Sequence, residues 1–284
     1  MIIDSHQHFW RYDPVRDGWI TDEMSRLQRD FLPEDFECEC KANRIDGSIA
    51  VQADQSEAET LFLLDLAKER EGILGVVGWV DLLSQSVGER LQFFSQFRKL
   101  RGFRHIAQAE PDDQFLVGRD FTRGISLLRE FGYTYDILIY PKQLPAAIEL
   151  ASRFPEQLFV VDHLAKPLIK DGGREPWASH IRTIAQNKNV YCKASGLVTE
   201  ADWLHWKPDD VRSYLDVVFE AFGPERLMFG SDWPVCLLAA TYRQVKDLIG
   251  SYVEVHAPQQ KENIFGGNAI RFYGLKAASD GLAA

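Results

Sequence analysis

IIDSHQHFWRY, residues 2–12, decides between two α/β architectures. Ile2–His8 reads as a short apolar strand that ends on two histidines, His6 and His8. An open doubly wound sheet would follow its first strand with a Gly-rich nucleotide loop. Here His-Phe-Trp-Arg-Tyr follows instead. The competing arrangement is a closed barrel of parallel strands, whose active residues gather at the C-terminal strand ends. Residues i and i+2 of a strand project to the same face, so both imidazoles would point to that mouth. Two solvent-exposed loop histidines are the plainer alternative.

Working outward, seven further runs dense in Val, Ile, Leu, Phe and Tyr suit strands buried on both faces. They are Gly47–Gln52, Ile73–Val80, Leu100–Ile106, Tyr135–Tyr140, Leu158–Leu164, Val190–Ser195 and Leu227–Ser231. Helical spacing fills the intervals, as in Ser56–Arg70, Val87–Arg98, Phe121–Phe131, Pro145–Arg153, Trp177–Gln186 and Pro208–Phe222. Thr241–Gly250 and Lys261–Tyr273 would close the chain with two more helices. Ser56 followed by Glu59 predicts a capping box. Strict alternation of strands and helices over 284 residues predicts an α/β fold, a single-domain (β/α)₈ barrel of the TIM type, which needs about 250 residues. The barrel would span residues 1–275, and the small, weakly patterned tail 276–284 would be flexible. Arg11–Asp35 is long for one connection, and in a barrel it would sit over the mouth, bringing Tyr12 and Trp19 with it.

Composition bounds the function. The chain is 45% hydrophobic and 26% charged, with a formal net charge of -10. Nucleic-acid binding is driven by Lys and Arg neutralising phosphates, so that class is disfavoured. No apolar run reaches the roughly 18 residues of a membrane span. The first residues lack the basic-then-apolar pattern of a signal peptide. Cys38, Cys40, Cys192 and Cys236 form no C-x-x-C pair, which suits free thiols and a cytoplasmic enzyme.

Four more stretches could carry chemistry. Phe229-Gly230-Ser231-Asp232-Trp233-Pro234 sets Asp232 just past the last strand, where a carboxylate can act as general base, bind a metal, or merely cap a helix. His163, in VDHLAKP, ends the sixth strand and could hydrogen-bond a carbonyl or the oxyanion formed from it. Asp162 beside it reads as structural, orienting a neighbour. In GFRHI, Arg104 and His105 alternate, one facing the mouth and the other the helix layer. Lys193 and Ser195 end the seventh strand and could hydrogen-bond a polar substrate. Trp10, Trp19 and Trp233 flank these motifs and could stack on a sugar ring or simply pack.

Taken in order, IIDSHQHFW, GFRHI, FVVDHLAKP, YCKASGL, MFGSDWPV and IFGGNAIRFYGL resemble the amidohydrolase superfamily over nearly the whole chain. The branch most similar is that of lactone hydrolases acting on sugar-acid lactones such as L-fucono- or L-rhamnono-lactone. The resemblance implies a lactonase, a carboxylic ester hydrolase, that opens the ring to the aldonate. It implies catalytic roles for His6, His8, His163 and Asp232, with Trp10, Trp19, Arg104, His105, Lys193 and Trp233 around the substrate. Asp232 would act as general base on water while His6, His8 and His163 polarise the carbonyl. Binuclear members carry a bridging residue near strand four and a histidine on strand five, whereas TYDILIY holds no histidine. A two-metal site is therefore not expected, and the resemblance to the lactonase branch implies no required cofactor; the alternative is one divalent cation such as zinc on His6, His8 and Asp232. The expected partner is a small-molecule lactone, with neither nucleic acid nor membrane. Rival readings are a metal-dependent decarboxylase, an aromatic-dicarboxylate lactonase of the same superfamily, and an inactive barrel that only binds carbohydrate or protein. The decarboxylase would want an ion and the missing histidine; the dicarboxylate enzyme would want more arginines at the mouth than Arg104.

Overall fold

The computed structural model describes residues 1–275; the flexible tail expected at 276–284 lies outside the described residues. Eight strands form one parallel sheet in sequential order. They are β1 (Ile3–Gln7), β2 (Gly47–Val51), β3 (Ile73–Gly78), β4 (Leu100–His105), β5 (Thr134–Ile137), β6 (Phe159–Val161), β7 (Val190–Ala194) and β8 (Leu227–Phe229). Their helices are α1 (Pro33–Asn43), α2 (Glu57–Glu69), α3 (Val87–Phe94), α4 (Arg119–Leu128), α5 (Leu144–Arg153), α6 (Trp177–Ile184), α7 (Pro208–Phe222), α8 (Tyr242–His256) and α9 (Asn268–Tyr273). This is the (β/α)₈ barrel expected from the alternation.

The β1–β8 seam is completed by groups that bypass the regular ladder. His8 N–H donates to the Trp233 carbonyl at 2.7 Å, and Asp232 N–H to the His6 carbonyl at 2.9 Å. The Ser5 hydroxyl donates to the Phe229 carbonyl at 2.7 Å. Asp4 accepts the Ser231 N–H at 2.9 Å and the Tyr242 hydroxyl at 3.0 Å. The two chemistry-bearing stretches, 224 and 227 residues apart at the Ser5 and Asp4 contacts, are thus clasped together by the seam itself.

The base of the barrel is apolar. Ile3, Ile49, Val51, Val77, Val160 and Met228 cluster with Ala269, Phe272, Tyr273 and Leu275 of α9 and its end. The helix expected over Lys261–Tyr273 is broken by a wide turn at Asn263–Gly267, where Gly266 sits so close to Met1 that a Cβ would meet the Met1 carbonyl oxygen at 2.3 Å. Thr241 caps α8 by accepting the Gln244 N–H, and the helix runs on past Gly250 to His256. The capping box at Ser56 is only half made: Ser56 accepts the Glu59 N–H, but the Glu59 carboxylate turns away to accept the amides of Ala53 and Asp54 at 2.6 and 2.9 Å. Residues 11–35 form a shorter connection than the sequence suggests, because α1 begins at Pro33 and Asp22–Leu27 forms a short helical turn.

Candidate active site

Asp232 follows β8 in a left-handed conformation, φ 58°. After β6 the chain makes a run of four left-handed residues, His163, Leu164, Ala165 and Lys166, with φ of 52°, 54°, 57° and 49°. Left-handed backbone costs a non-glycine residue roughly 1–2 kcal/mol. Such strain persists only where the surroundings over-determine it. Here Trp177 donates its indole N–H to the Leu164 carbonyl at 2.7 Å, and Lys166 N–H donates to the His163 carbonyl at 2.7 Å. The turn delivers both His163 and Lys166 to one cavity. Gly196, at φ +66°, makes room: a Cβ there would meet the His163 ring at 2.6 Å.

That cavity, about 500 Å³, opens at the C-terminal strand ends and is lined by His8, Arg104, His163 and Asp232 among others. Its volume suits a small ligand. Around the Asp232 carboxylate oxygen stand three imidazole Nε2 atoms: His8 at 3.4 Å, His6 at 3.8 Å and His163 at 3.8 Å. Burial opposes the Asp232 charge, but the imidazoles of His163, His8 and His6 around it outweigh that and hold the carboxyl well below its usual range. Burial pushes His163 down to about 4, so near neutrality this ring is uncharged beside an ionised carboxylate. His6 is likewise held well below its ordinary value, by burial first.

Hydrogen bonds define what each ring can do. His8 Nδ1 lies 2.7 Å from the Val51 carbonyl, which only accepts. The Nδ1 therefore carries the proton, and Nε2 presents a lone pair unless the ring is doubly protonated. His163 Nδ1 is 2.8 Å from the Ser195 hydroxyl; with Ser195 donating, His163 Nε2–H faces the cavity. Arg104 donates to Asp162 at 3.0 Å and to Gln52 Oε1 at 3.1 Å, and its Nη1 lies 3.2 Å from His6 Nε2.

Beneath His6 runs a fully buried charged column. Lys193 Nζ lies 3.0 Å from His6 Nδ1, 2.9 Å from Asp162 and 2.5 Å from Asp136, which also accepts the Tyr273 hydroxyl at 2.8 Å. Burial pushes Asp136 up to about 6 against the pull of Lys193. It acts in the same direction on Asp162, but there Lys193, His6 and Arg104 prevail and keep the carboxyl well below its usual range.

Several expected substrate contacts are corrected. His105 faces the helix layer, paired with Glu110 at 2.7 Å and stacked on Phe115. Trp233 is buried among Phe9, Phe31 and Phe36. Trp10 is buried, donates to the Arg29 carbonyl at 2.9 Å, and exchanges backbone hydrogen bonds with Phe31. Both tryptophans therefore shape the wall from behind. Lys193 lies below the cavity with His6 rather than in it. Trp19 and Arg104 do line the cavity. Sequence reasoning missed Lys166, Glu200 and Trp203 on its rim, and Asp136 and Tyr273 in the column. A charged residue inside an apolar strand, Asp136 in TYDILIY, was the available signal for the column.

Comparison with known proteins decides the family. The model of the family described as Amidohydrolase matches residues 3–275. The chain belongs to this amidohydrolase family. It is 42% identical over 291 residues to an L-fucono-1,5-lactonase of Burkholderia multivorans, covering 98% of this chain and 97% of that protein. An L-fucono-1,5-lactonase of Burkholderia ambifaria is 34% identical over 286 residues, with the same coverage of 98% and 97%. A crystal structure of an amidohydrolase from Burkholderia multivorans with bound zinc superposes with a TM-score of 0.93 at 41% identity, covering 97% of this chain and all of that one. Two groups among the described residues have the spacing of metal ligands: His6, His8 and Asp232, and His6, Asp162 and His163. The first fits a divalent ion, since its donors are two imidazoles and a carboxylate and His8 Nε2 is free to donate its lone pair. Among the described residues no helix is long and apolar enough to cross a membrane.

Proposed function

We propose that this amidohydrolase opens the ring of a sugar-acid lactone, of the L-fucono- or L-rhamnono-lactone kind, to the aldonate. The observation that carries the reading is an ionised, buried Asp232 facing neutral His163 and the Arg104 guanidinium across one small cavity. Similarity to two L-fucono-1,5-lactonases supports the choice of substrate.

Asp232 takes a proton from water, and the hydroxide equivalent adds to the lactone carbonyl. His163 Nε2–H hydrogen-bonds the oxyanion, and the Arg104 cation, held in place by Asp162 and Gln52, favours it through its charge. Such donors are worth on the order of 10²–10³ in rate each. His8, whose Nε2 accepts, holds the attacking water beside Asp232 instead of polarising the carbonyl. His6, behind the cavity, positions Asp232. The ring C–O bond then breaks, the proton on Asp232 passes to the leaving alkoxide, and the free acid ionises. An ester-type leaving group makes this route chemically reasonable on the side chains alone, with Arg104 already a fixed cation beside His6. A divalent ion on His6, His8 and Asp232 would polarise the carbonyl and acidify bound water.

Ring opening releases a proton, so a pH-indicator assay across a panel of aldonolactones, with and without a chelator, tests the proposal. Hydrolysis of a 6-deoxy-L-sugar lactone that survives chelation is the expected result. Activity lost on chelation and restored by a divalent ion would shift His6, His8 and Asp232 to ligand roles. Inactivity on every lactone would reject the substrate class.

A further inference from the structure

A second cavity, about 670 Å³, lies at the opposite end of the barrel, where β4, β5 and β6 begin and α9 ends. Its wall includes Leu100 and Thr134, the first residues of β4 and β5, so the strand length separates it from the cavity at Asp232. In a chain of net charge -10, this wall carries four arginines, Arg98, Arg101, Arg129 and Arg271, against one carboxylate, Glu156.

The arginines are not equally satisfied. Arg129 pairs with Glu156 at 3.2 Å. Arg271 bonds the side-chain amides of Asn263 and Asn268, which are neutral. Among the described residues Arg98 and Arg101 have no carboxylate within ion-pair distance. Arg101 is half-buried, its Nε is buried without any hydrogen-bond partner, and burial alone lowers its pKa. Its stem packs against Gly75 inside the barrel base. Even one guanidinium N–H taken out of water without a partner carries a cost. A planar fork of N–H donors recognises phosphate and carboxylate oxygens in pairs.

We propose that this basal cavity is a binding site for a small organic polyanion, phosphorylated or polycarboxylated, anchored on Arg101 with Arg98 and Arg271 beside it. The site is separate from the one that handles the lactone. Tyr273 links it to that site: it lines the basal cavity and hydrogen-bonds Asp136 at 2.8 Å.

Titration calorimetry on the full chain tests this, with pyrophosphate and citrate as the two probes, each at low and high salt. The expected result is saturable binding of at least one probe that weakens as salt rises. Loss of one charged contact should weaken it by about 10- to 100-fold in Arg101→Gln. Arg98→Gln, at an exposed position, should weaken it less and guards against a folding defect in the first variant. Binding should be retained in Lys166→Gln at the opposite end. Pyrophosphate alone would define a phosphate site, and citrate alone a carboxylate site. The proposal is overturned if neither probe saturates, if Arg101→Gln and Arg98→Gln bind as the parent does, or if Lys166→Gln abolishes binding.

Discussion

At one end of the eight strands stand His6, His8, His163, Arg104 and Asp232, buried, polar, and partly on left-handed backbone. At the other end Ile3, Ile49, Val160 and Met228 pack against Phe272 and Leu275 of the C-terminal helix region. The strands are common to both ends; only the inward residues change along them. The mouth holds left-handed backbone at Asp232 and His163, and that backbone sets the carboxylate beside the imidazoles of His8, His6 and His163. The base of the barrel supplies the apolar burial that offsets that strain. Between them lies the Tyr273–Asp136–Lys193 column, which is charged like the mouth but sealed like the base.

This contrast can be broken from either end. Asp232→Asn should lower kcat/KM on the preferred lactone by about 10²–10⁴, the usual range for loss of a general base. Asn tolerates left-handed backbone, so the melting temperature should hold. Turnover close to the parent's would remove Asp232 from the chemistry. Lys193→Met leaves Asp136 buried without its cation and Asp162 with Arg104 alone. Removing one partner of a buried ion pair typically costs about 3–5 kcal/mol, readable in urea unfolding. A loss much below that would mean the column is not charged as described. Phe272→Ala, at the base, should cost about 3 kcal/mol of stability with kcat per folded molecule unchanged. A matching fall in kcat would show that the two ends are not independent.

The smallest expected effect is a pH dependence. His163 titrates near 4 in the folded protein against about 6.5 when unfolded. The unfolded chain takes up this proton first, so the group is fully stabilising above about 6.5 and costs stability as pH falls from there to about 4. Replacing it in His163→Gln should flatten the pH dependence of the melting temperature over that window. Asp4, raised to about 6 by burial, has the opposite slope between its ordinary value and 6, so the comparison must be with the parent at each pH. An unchanged slope would mean that His163 is not held neutral.

Much of the fold was legible because parallel strands buried on both faces leave long apolar runs, and the helices between them leave a different period. The strand ends were less so. Leu158–Leu164 reads as one apolar stretch, yet the strand stops at Val161 and the chain turns left-handed at His163. α1, in PEDFECECKAN, has a weak amphipathic pattern and was not expected. His6, His8, His163 and Asp232 could be singled out because each ends an apolar strand. Trp10, Trp233 and His105 stand beside the same strand ends, but their side chains are buried and do not line the cavity.

The sequence by itself determined the alternation of strands and helices, the order of the polar strand ends, and the family they resemble, because periodicity and residue type are local properties. Only the tertiary structure decided which polar side chains meet. That depends on the seam joining β1 to β8, on the left-handed turn after β6, and on Gly196 leaving space for an imidazole. It also set Lys193 beneath His6 and gathered four arginines at the base, since the facing of a side chain follows from barrel closure and not from its neighbours in the chain.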